Sequence, residues 1–447
     1  MITRKAAQSK LNHNRERKKN MFKRISSLFL TLLLVVGFAF PAAADWTTYQ
    51  GNNNHNGVIT DGAPITASVN TAMVNLTHNG SGWDGIDTAP VMQTLDNGDT
   101  YAYVIYDGYA VSGSNGGARL AKVHANDGTE VWSKQLTTSP GFQLSTPLLV
   151  QGNDASSESD DVVYVGTGDT IQKITDLEKA SPTNSVIMTG IAGQLNTPIT
   201  TDGTYLYFGT WTSEGSGTYY QVEIANPTNV KTATTGDYYW AGAVVVGNYV
   251  YFGGDGGKLH YRSVANFANV GGVVDVSSAG NIRSSIAVKN NVLYFTSQNG
   301  YLWAYKTNSL TGKPTLDWNK KLAATSTSTP VITANNIIYV GYYNGFSSGG
   351  VQAIDLSTKS IKNVTPTSFK PVQSSIIAHT ENNIDYLYFT TNAANGAGYG
   401  YSFDGTTGNQ VWNTEDTSGK TYTLQGMAAS NGYLVFGNDY NNLYIVK

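Results

Sequence analysis

The chain has 447 residues, only 13% of them charged, with 48 Gly, 29 Tyr, no Cys and a formal net charge of −3. Without cysteine there is no disulfide, no thiolate metal site, no haem held through Cys and no lipid on a leader Cys. The low charge density with abundant Gly and Tyr points to a β-rich, turn-rich domain.

In chain order, the first feature is a targeting signature. Met21-Phe22-Lys23-Arg24 is a short basic stretch, Leu28–Phe40 is apolar apart from Thr31 and Gly37, and Ala42-Ala43-Ala44 is a small-residue cleavage site. The expected division is 1–44 as a removed signal peptide, with Met21 the better start, and 45–447 as a single domain. Residues 1–44 hold nine of the 28 basic and one of the 31 acidic residues, so their removal takes the net charge from −3 to −11. An acidic mature surface argues against nucleic acid and against adsorption to anionic membranes. The expected location is secreted, periplasmic or cell-surface associated, with no stable membrane insertion after cleavage.

The mature chain repeats one phrase. A small or Pro-containing triplet leads into an apolar strand, a short turn, then a run such as Tyr205-Leu206-Tyr207-Phe208 or Ile337-Ile338-Tyr339-Val340. The third residues of the triplets are Pro90, Pro147, Pro198, Gly242, Ser285, Pro330, Ser375 and Gly426, separated by 57, 51, 44, 43, 45, 45 and 51 residues. A period near 40–45 residues with several short strands per unit is the propeller signature. In the fifth unit the expected strands are Ile286–Lys289, Val292–Thr296, Leu302–Lys306 and Leu316–Leu322, with Asn290-Asn291 supplying the positive-φ turn that a tight hairpin requires. The last unit has residues for only three strands, Met427–Ser430, Tyr433–Phe436 and Leu443–Val446. An open sheet edge invites aggregation. The segment around Val69–His78 has the alternation to fill it and close the ring. The expectation is an all-β, eight-bladed β-propeller of four-stranded antiparallel blades, with seven blades as the alternative.

The repeats resemble those of the PQQ-like (quinoprotein alcohol dehydrogenase-like) β-propeller family. The matching residues are Leu293-Tyr294-Phe295, Gly300-Tyr301-Leu302-Trp303-Ala304-Tyr305, Thr311-Gly312 with Trp318, Asp127-Gly128-Thr129-Glu130-Val131-Trp132 and Thr407-Gly408-Asn409-Gln410-Val411-Trp412. Gly256-Gly257-Lys258-Leu259-His260-Tyr261 is similar, as is the opening Asp45-Trp46-Thr47-Thr48-Tyr49-Gln50-Gly51-Asn52. The resemblance implies the propeller fold, and in the dehydrogenases a quinone held between a Trp and a vicinal disulfide with Ca²⁺ nearby. This chain has no cysteine for that disulfide, nor for the lipid of the assembly lipoproteins with similar repeats. No quinone and no metal is expected.

Other chemistry is sparse. His55, His78, His124, His260 and His379 show no metal-ligand spacing, and no nucleophile elbow or Walker loop is present. The acidic run Asp154–Asp161 lacks the alternating order of a Ca²⁺ loop and reads as solvated. Trp132, Trp318 and Trp412, and the repeated Tyr207, Tyr251, Tyr294, Tyr339 and Tyr388, read as interblade packing. Site chemistry is expected instead on the face that carries both the blade-to-blade links and the long insertions Asp107–Ala118, Thr210–Thr218, Tyr342–Gly350 and Thr391–Gly400. There Asp87, Asn196, Tyr239, Trp240, Arg283 and Gln373 are expected to ring the channel mouth, with Tyr238-Tyr239-Trp240 beside Arg283 as the main cluster. The expected function is a non-catalytic binding or scaffolding propeller, monomeric, engaging a protein or cell-envelope glycan. The alternatives are an extracellular polysaccharide hydrolase or lyase and, third, a quinone-dependent dehydrogenase.

Overall fold

A computed structural model describes residues 45–76, 85–107, 118–136, 145–212, 216–234, 237, 239–392, 397–419, 421–423 and 425–447. The expected signal peptide, His78 and Tyr238 lie outside these residues.

Eight antiparallel sheets follow one another along the chain, and the structure is an eight-bladed β-propeller. The first strands of blades I to VIII are Val91–Thr94, Leu148–Val150, Thr200–Thr201, Val244–Val246, Ala287–Lys289, Val331–Ile332, Ile377–Glu381 and Ala428–Ser430. Each begins one or two residues after one of the eight repeat positions. The first strands of blades VIII and I, of I and II, and of V and VI pack against one another, as the innermost strands around the axis do. The fifth blade continues with Val292–Ser297, Tyr301–Lys306 and Thr315–Lys321, within a residue or two of expectation. Asn290 and Asn291 take φ of 53° and 60° in its first hairpin, a conformation Asn tolerates better than most residues.

The apolar runs follow from burial on both faces of each blade, as in any sheet covered on two sides. In Leu293-Tyr294-Phe295, Leu293 and Phe295 join the cluster shared with blade IV, whereas Tyr294 faces the cluster shared with blade VI. The repeated Tyr layer also joins blades through its hydroxyls: Tyr251 donates to the carbonyl of Gly312 in the next blade (3.0 Å) and Tyr339 to Asp385 (2.9 Å). Trp132 likewise donates to the Leu177 carbonyl of blade II (2.9 Å).

The small residues of the repeated triplet have a further use. Gly242 N–H donates to Ser285 Oγ (2.9 Å), Ser285 N–H to Thr329 Oγ1 (3.0 Å) and Thr329 N–H to Ser375 Oγ (3.0 Å). Hydroxyls at the start of the first strands therefore stitch blades IV, V, VI and VII around the channel mouth.

Thr71–Asn75 pairs antiparallel with Asn442–Val446, so blade VIII is completed by a strand from the N-terminal end, inside the expected Val69–His78. The preceding segment fills the channel. Trp46 bridges Met92 of blade I, Thr47 accepts from Leu149 of blade II, Asn54 accepts from Val288 of blade V, and Val58–Ile59 runs parallel to Ala378–His379 of blade VII. Trp46, Thr48, Tyr49, Gln50, His55 and Ile59 are all buried. The segment enters and leaves by the face of the first-to-second-strand turns: Asp45 accepts from Thr94 N–H (2.6 Å) and Asp61 from Asn431 N–H (2.5 Å). Its high point is Tyr49, whose hydroxyl reaches Ser375 and Thr329 at the opposite mouth. Burial in the plug pushes the His55 imidazole down to about 4 and the Asp45 carboxyl up to about 6.

The acidic run is not simply solvated. Its Glu158 is buried against blade I, ion-paired with the buried Lys122 and accepting from Tyr103 and from Gln93 (2.8 Å). Periodicity does not show which acid of the loop turns inward.

Candidate functional site

The Tyr49 side chain is the floor of a cavity of about 210 Å³ at the channel mouth, lined by Asn196, Trp240, Arg283, Gln298, Gln373 and Gln425 with Pro198, Ser285, Thr327, Tyr343 and Ser375. Four of the six residues expected at the mouth are brought together here: Asn196, Trp240, Arg283 and Gln373. They arrive just before the first strands of blades III, IV, V and VII, the links that run on this face.

Tyr239 is elsewhere. It is completely buried, edge-on to Tyr219 (5.1 Å) and Phe252 (5.6 Å), and does not line the cavity. Successive side chains of extended chain point to opposite sides, so only one of Tyr239 and Trp240 faces the mouth. Asp87 is also off the cavity lining. It is 7% exposed and hydrogen-bonds Asp439, whose carboxyl burial pushes up to about 6. The Tyr422 hydroxyl, next to this pair through the Asp439 N–H to Tyr422 carbonyl bond (3.0 Å), donates to Gln373 Oε1 (2.8 Å).

Two residues of the wall, Trp240 and Arg283, belong to a three-residue unit whose third member, Asp255, stands behind the wall and was missed by sequence reading. Arg283 donates to Asp255 through Nε (2.8 and 3.2 Å) and Nη2 (2.6 Å), and Trp240 Nε1 donates to the same carboxylate (3.1 Å). The guanidinium carbon lies 5.1 Å over the Trp240 ring. Asp255, 8% exposed at its side chain, sits in the Gly254-Asp255-Gly256 hairpin turn of blade IV. A Gly-Asp-Gly turn reads as turn chemistry alone, and its partner lies 28 residues away.

The amides are held in defined senses. Gln373 Oε1 accepts from Asn392 Nδ2 (3.0 Å) and Tyr422 Oη (2.8 Å), which uses its carbonyl end and leaves Nε2 as the donor end. Asn196 is 4% exposed, and its Oδ1 has no hydrogen-bond partner within the protein. His260, by contrast, is a core residue, stacked on Phe252 and bonded to Asp237 (2.9 Å). Among the described residues no group of three His, Cys, Asp or Glu is placed to hold a metal ion.

Comparison with known proteins places the fold. A family model of PQQ repeats, described as outer membrane protein assembly factor BamB, matches residues 104–364. The chain belongs to this PQQ-like repeat family. No curated protein sequence matches it significantly. Among solved structures, the PQQ-like propeller is similar to BamB from Moraxella catarrhalis (15% identity, TM-score 0.54, covering 85% of this chain and all of that one). It is similar also to a europium-containing methanol dehydrogenase (9%, TM-score 0.62, 88% and 89%). A quinohemoprotein alcohol dehydrogenase from Comamonas testosteroni also matches (10%, TM-score 0.59, 90% and 80%). At such identities the likeness is one of fold, and one fold hosts many activities.

Proposed function

We propose that this PQQ-like propeller is an exported, non-catalytic binding or scaffolding protein of the cell envelope, engaging a protein or glycan at the long-loop face with the Trp240–Arg283 cavity as its anchoring point. The observation that carries the reading is the character of the cavity lining. Among the described residues it has one cation, one half-buried indole, four amides and several hydroxyls, and neither a carboxylate nor a histidine. Aromatic and Arg side chains are the types that dominate binding hot spots. General acid–base catalysis needs a titratable group within reach of the reacting atoms. The nearest acid to Arg283, Asp255, already accepts three N–H donors behind the wall. The BamB likeness supports an envelope location for the same reason that the repeat family does, by kinship of fold.

The hydrolase or lyase is the second reading, favoured by the Asp87–Asp439 pair at the same face. Against it, two hydrogen-bonded carboxyls stand closer than the roughly 5–9.5 Å that glycoside hydrolysis uses between its two acids. No quinone enters the proposal. Quinone with Ca²⁺ asks for a cluster of oxygen ligands, and the donor set here is a salt-bridged Arg with amides and hydroxyls.

The test uses the chain from Asp45 on a glycan array and against envelope extracts, beside Trp240→Ala and Arg283→Ala. Binding lost in both variants, with no polysaccharide cleaved, is the expected result. Binding indifferent to both variants, or turnover of a polysaccharide, overturns it.

A further inference from the structure

Resting on the reading of this cavity as a binding site, we infer that it takes one neutral sugar residue of a glycan. Charge comes first. Among the described residues Arg283 is the only ionic group lining the cavity, and Asp255 neutralises it through a forked pair of bonds at 2.8 and 2.6 Å. A guanidinium so clamped adds no net field to draw in an anion, yet its remaining N–H groups stay in a fixed plane as neutral-ligand donors. Among the described residues no carboxylate lines the cavity to draw in a cation.

Hydrogen-bond character comes second. The wall offers donors and acceptors side by side, and a sugar hydroxyl is both at once. Gln373 presents its Nε2 because both lone pairs of Oε1 are used by Asn392 and Tyr422. Asn196 presents the opposite sense. Its Oδ1 is an acceptor without a protein donor, in a side chain 4% exposed that belongs to the cavity lining. A carboxylate or a fully ionised phosphate group cannot donate to it. A hydroxyl can, while accepting from Gln373 or Arg283.

Shape comes third. A cavity of about 210 Å³ is smaller than the roughly 300–1,000 Å³ of sites that bury drug-sized ligands. It suits one ring rather than a run of several. The half-buried indole of Trp240 supplies the apolar surface against which the C–H face of such a ring packs.

The experiment titrates the chain from Asp45 with methyl glycosides of glucose, galactose, mannose and N-acetylglucosamine, with methyl glucuronide as the anionic counterpart, by saturation-transfer NMR and calorimetry. A single ring filling such a site binds with a Kd on the order of 1 mM. The expected result is binding of at least one neutral glycoside, weaker by tenfold or more in Trp240→Ala and Asn196→Ala, less affected in Trp240→Phe, with glucuronide no better than its neutral parent. Thermal melts of each variant separate lost contacts from lost fold. Preference for glucuronide, neutral binding unchanged in Trp240→Ala and Asn196→Ala, or no glycoside binding at 20 times that concentration would each overturn the sugar inference. If no glycoside binds while capture on the array or from envelope extract still depends on Trp240, the sugar inference alone fails. If that capture is also indifferent to Trp240→Ala, the site reading fails with it.

Discussion

Trp240 and Arg283, contributed by the links into two successive blades, are stacked 5.1 Å apart and share a single acceptor, the carboxylate of Asp255. Neither side chain is held by its own blade alone. Removing Arg283 leaves a carboxylate 8% exposed with only the indole N–H, so Arg283→Ala is expected to lower stability by about 1–3 kcal/mol. In the double variant with Asp255→Asn the losses are not additive, because the second change removes the charge that the first left uncompensated. Urea melts of the two single variants and the double variant check the cycle. Additive losses would show that the unit is not coupled.

A second pair tests the joint between blades I and II. Lys122 and Glu158 are both buried, and Glu158 also takes bonds from Tyr103 and Gln93. Glu158→Ala strands a buried ammonium and is expected to lose about 3–5 kcal/mol. Replacing the pair together, as Lys122→Met with Glu158→Leu, is expected to lose far less. Chemical denaturation of the three proteins decides it.

The pH dependence follows from Asp439. Burial raises its carboxyl from 3.8 to about 6, so the folded protein holds this proton more tightly than the unfolded chain. The stability it contributes is complete below about pH 4 and is lost as pH rises to about 6. Asp439→Asn removes the ionisation. The variant is expected to melt higher than the parent at pH 7.5 and no higher at pH 4, read by calorimetry at both values. Asp45, raised to about 6 mainly by its burial, adds to the parent's pH slope in the same direction.

The closing strand offers a comparison within five residues. Asn70 and Lys447 exchange both backbone bonds (2.9 Å each), so by the antiparallel alternation Ala72, opposite Ile445, is also a bonded pair, and Met73 is not. Ala72→Pro removes a ladder donor, leaves its acceptor unpaired and is expected to cost about 1–3 kcal/mol. It also bares the edge of Asn442–Val446, with aggregation on heating. Met73→Pro, whose N–H faces away from the ladder on an outermost strand, is expected to be much milder. Melting and light scattering of the two variants distinguish them. Equal effects would mean that the strand does not close the ring.

The fold was legible because the repeat speaks in two registers. Leu293-Tyr294-Phe295 announces a strand buried on both faces, and the triplets ending in Pro90 through Gly426 announce where each innermost strand begins. Even the missing eighth outer strand could be placed, since Thr71–Asn75 alternates as an edge strand does. The site was legible in part. Arg283 and Trp240 break the pattern of small residues before the first strands, and that irregularity is what exposes them. Tyr239 was placed at the mouth through ignoring the alternation of extended chain. Asp255 could not be found, because its role lies in a contact between two blades and not in its Gly-Asp-Gly surroundings. The channel plug was equally silent. Gln50 and His55 adopt φ of 58° and 47°, and nothing in Asp45–Ile59 has a period to read.

The course of the chain through the axis gives the molecule a polarity that matters at the bench. Asp45 lies beside the Thr94 and Gln151 turns, and Lys447 follows a strand that runs away from the channel mouth, so both ends of this span emerge on the face opposite the cavity. A tag, dye or surface coupled at either end therefore holds the protein with its cavity turned outward. The same coupling at Thr327 or Tyr343 would blind it.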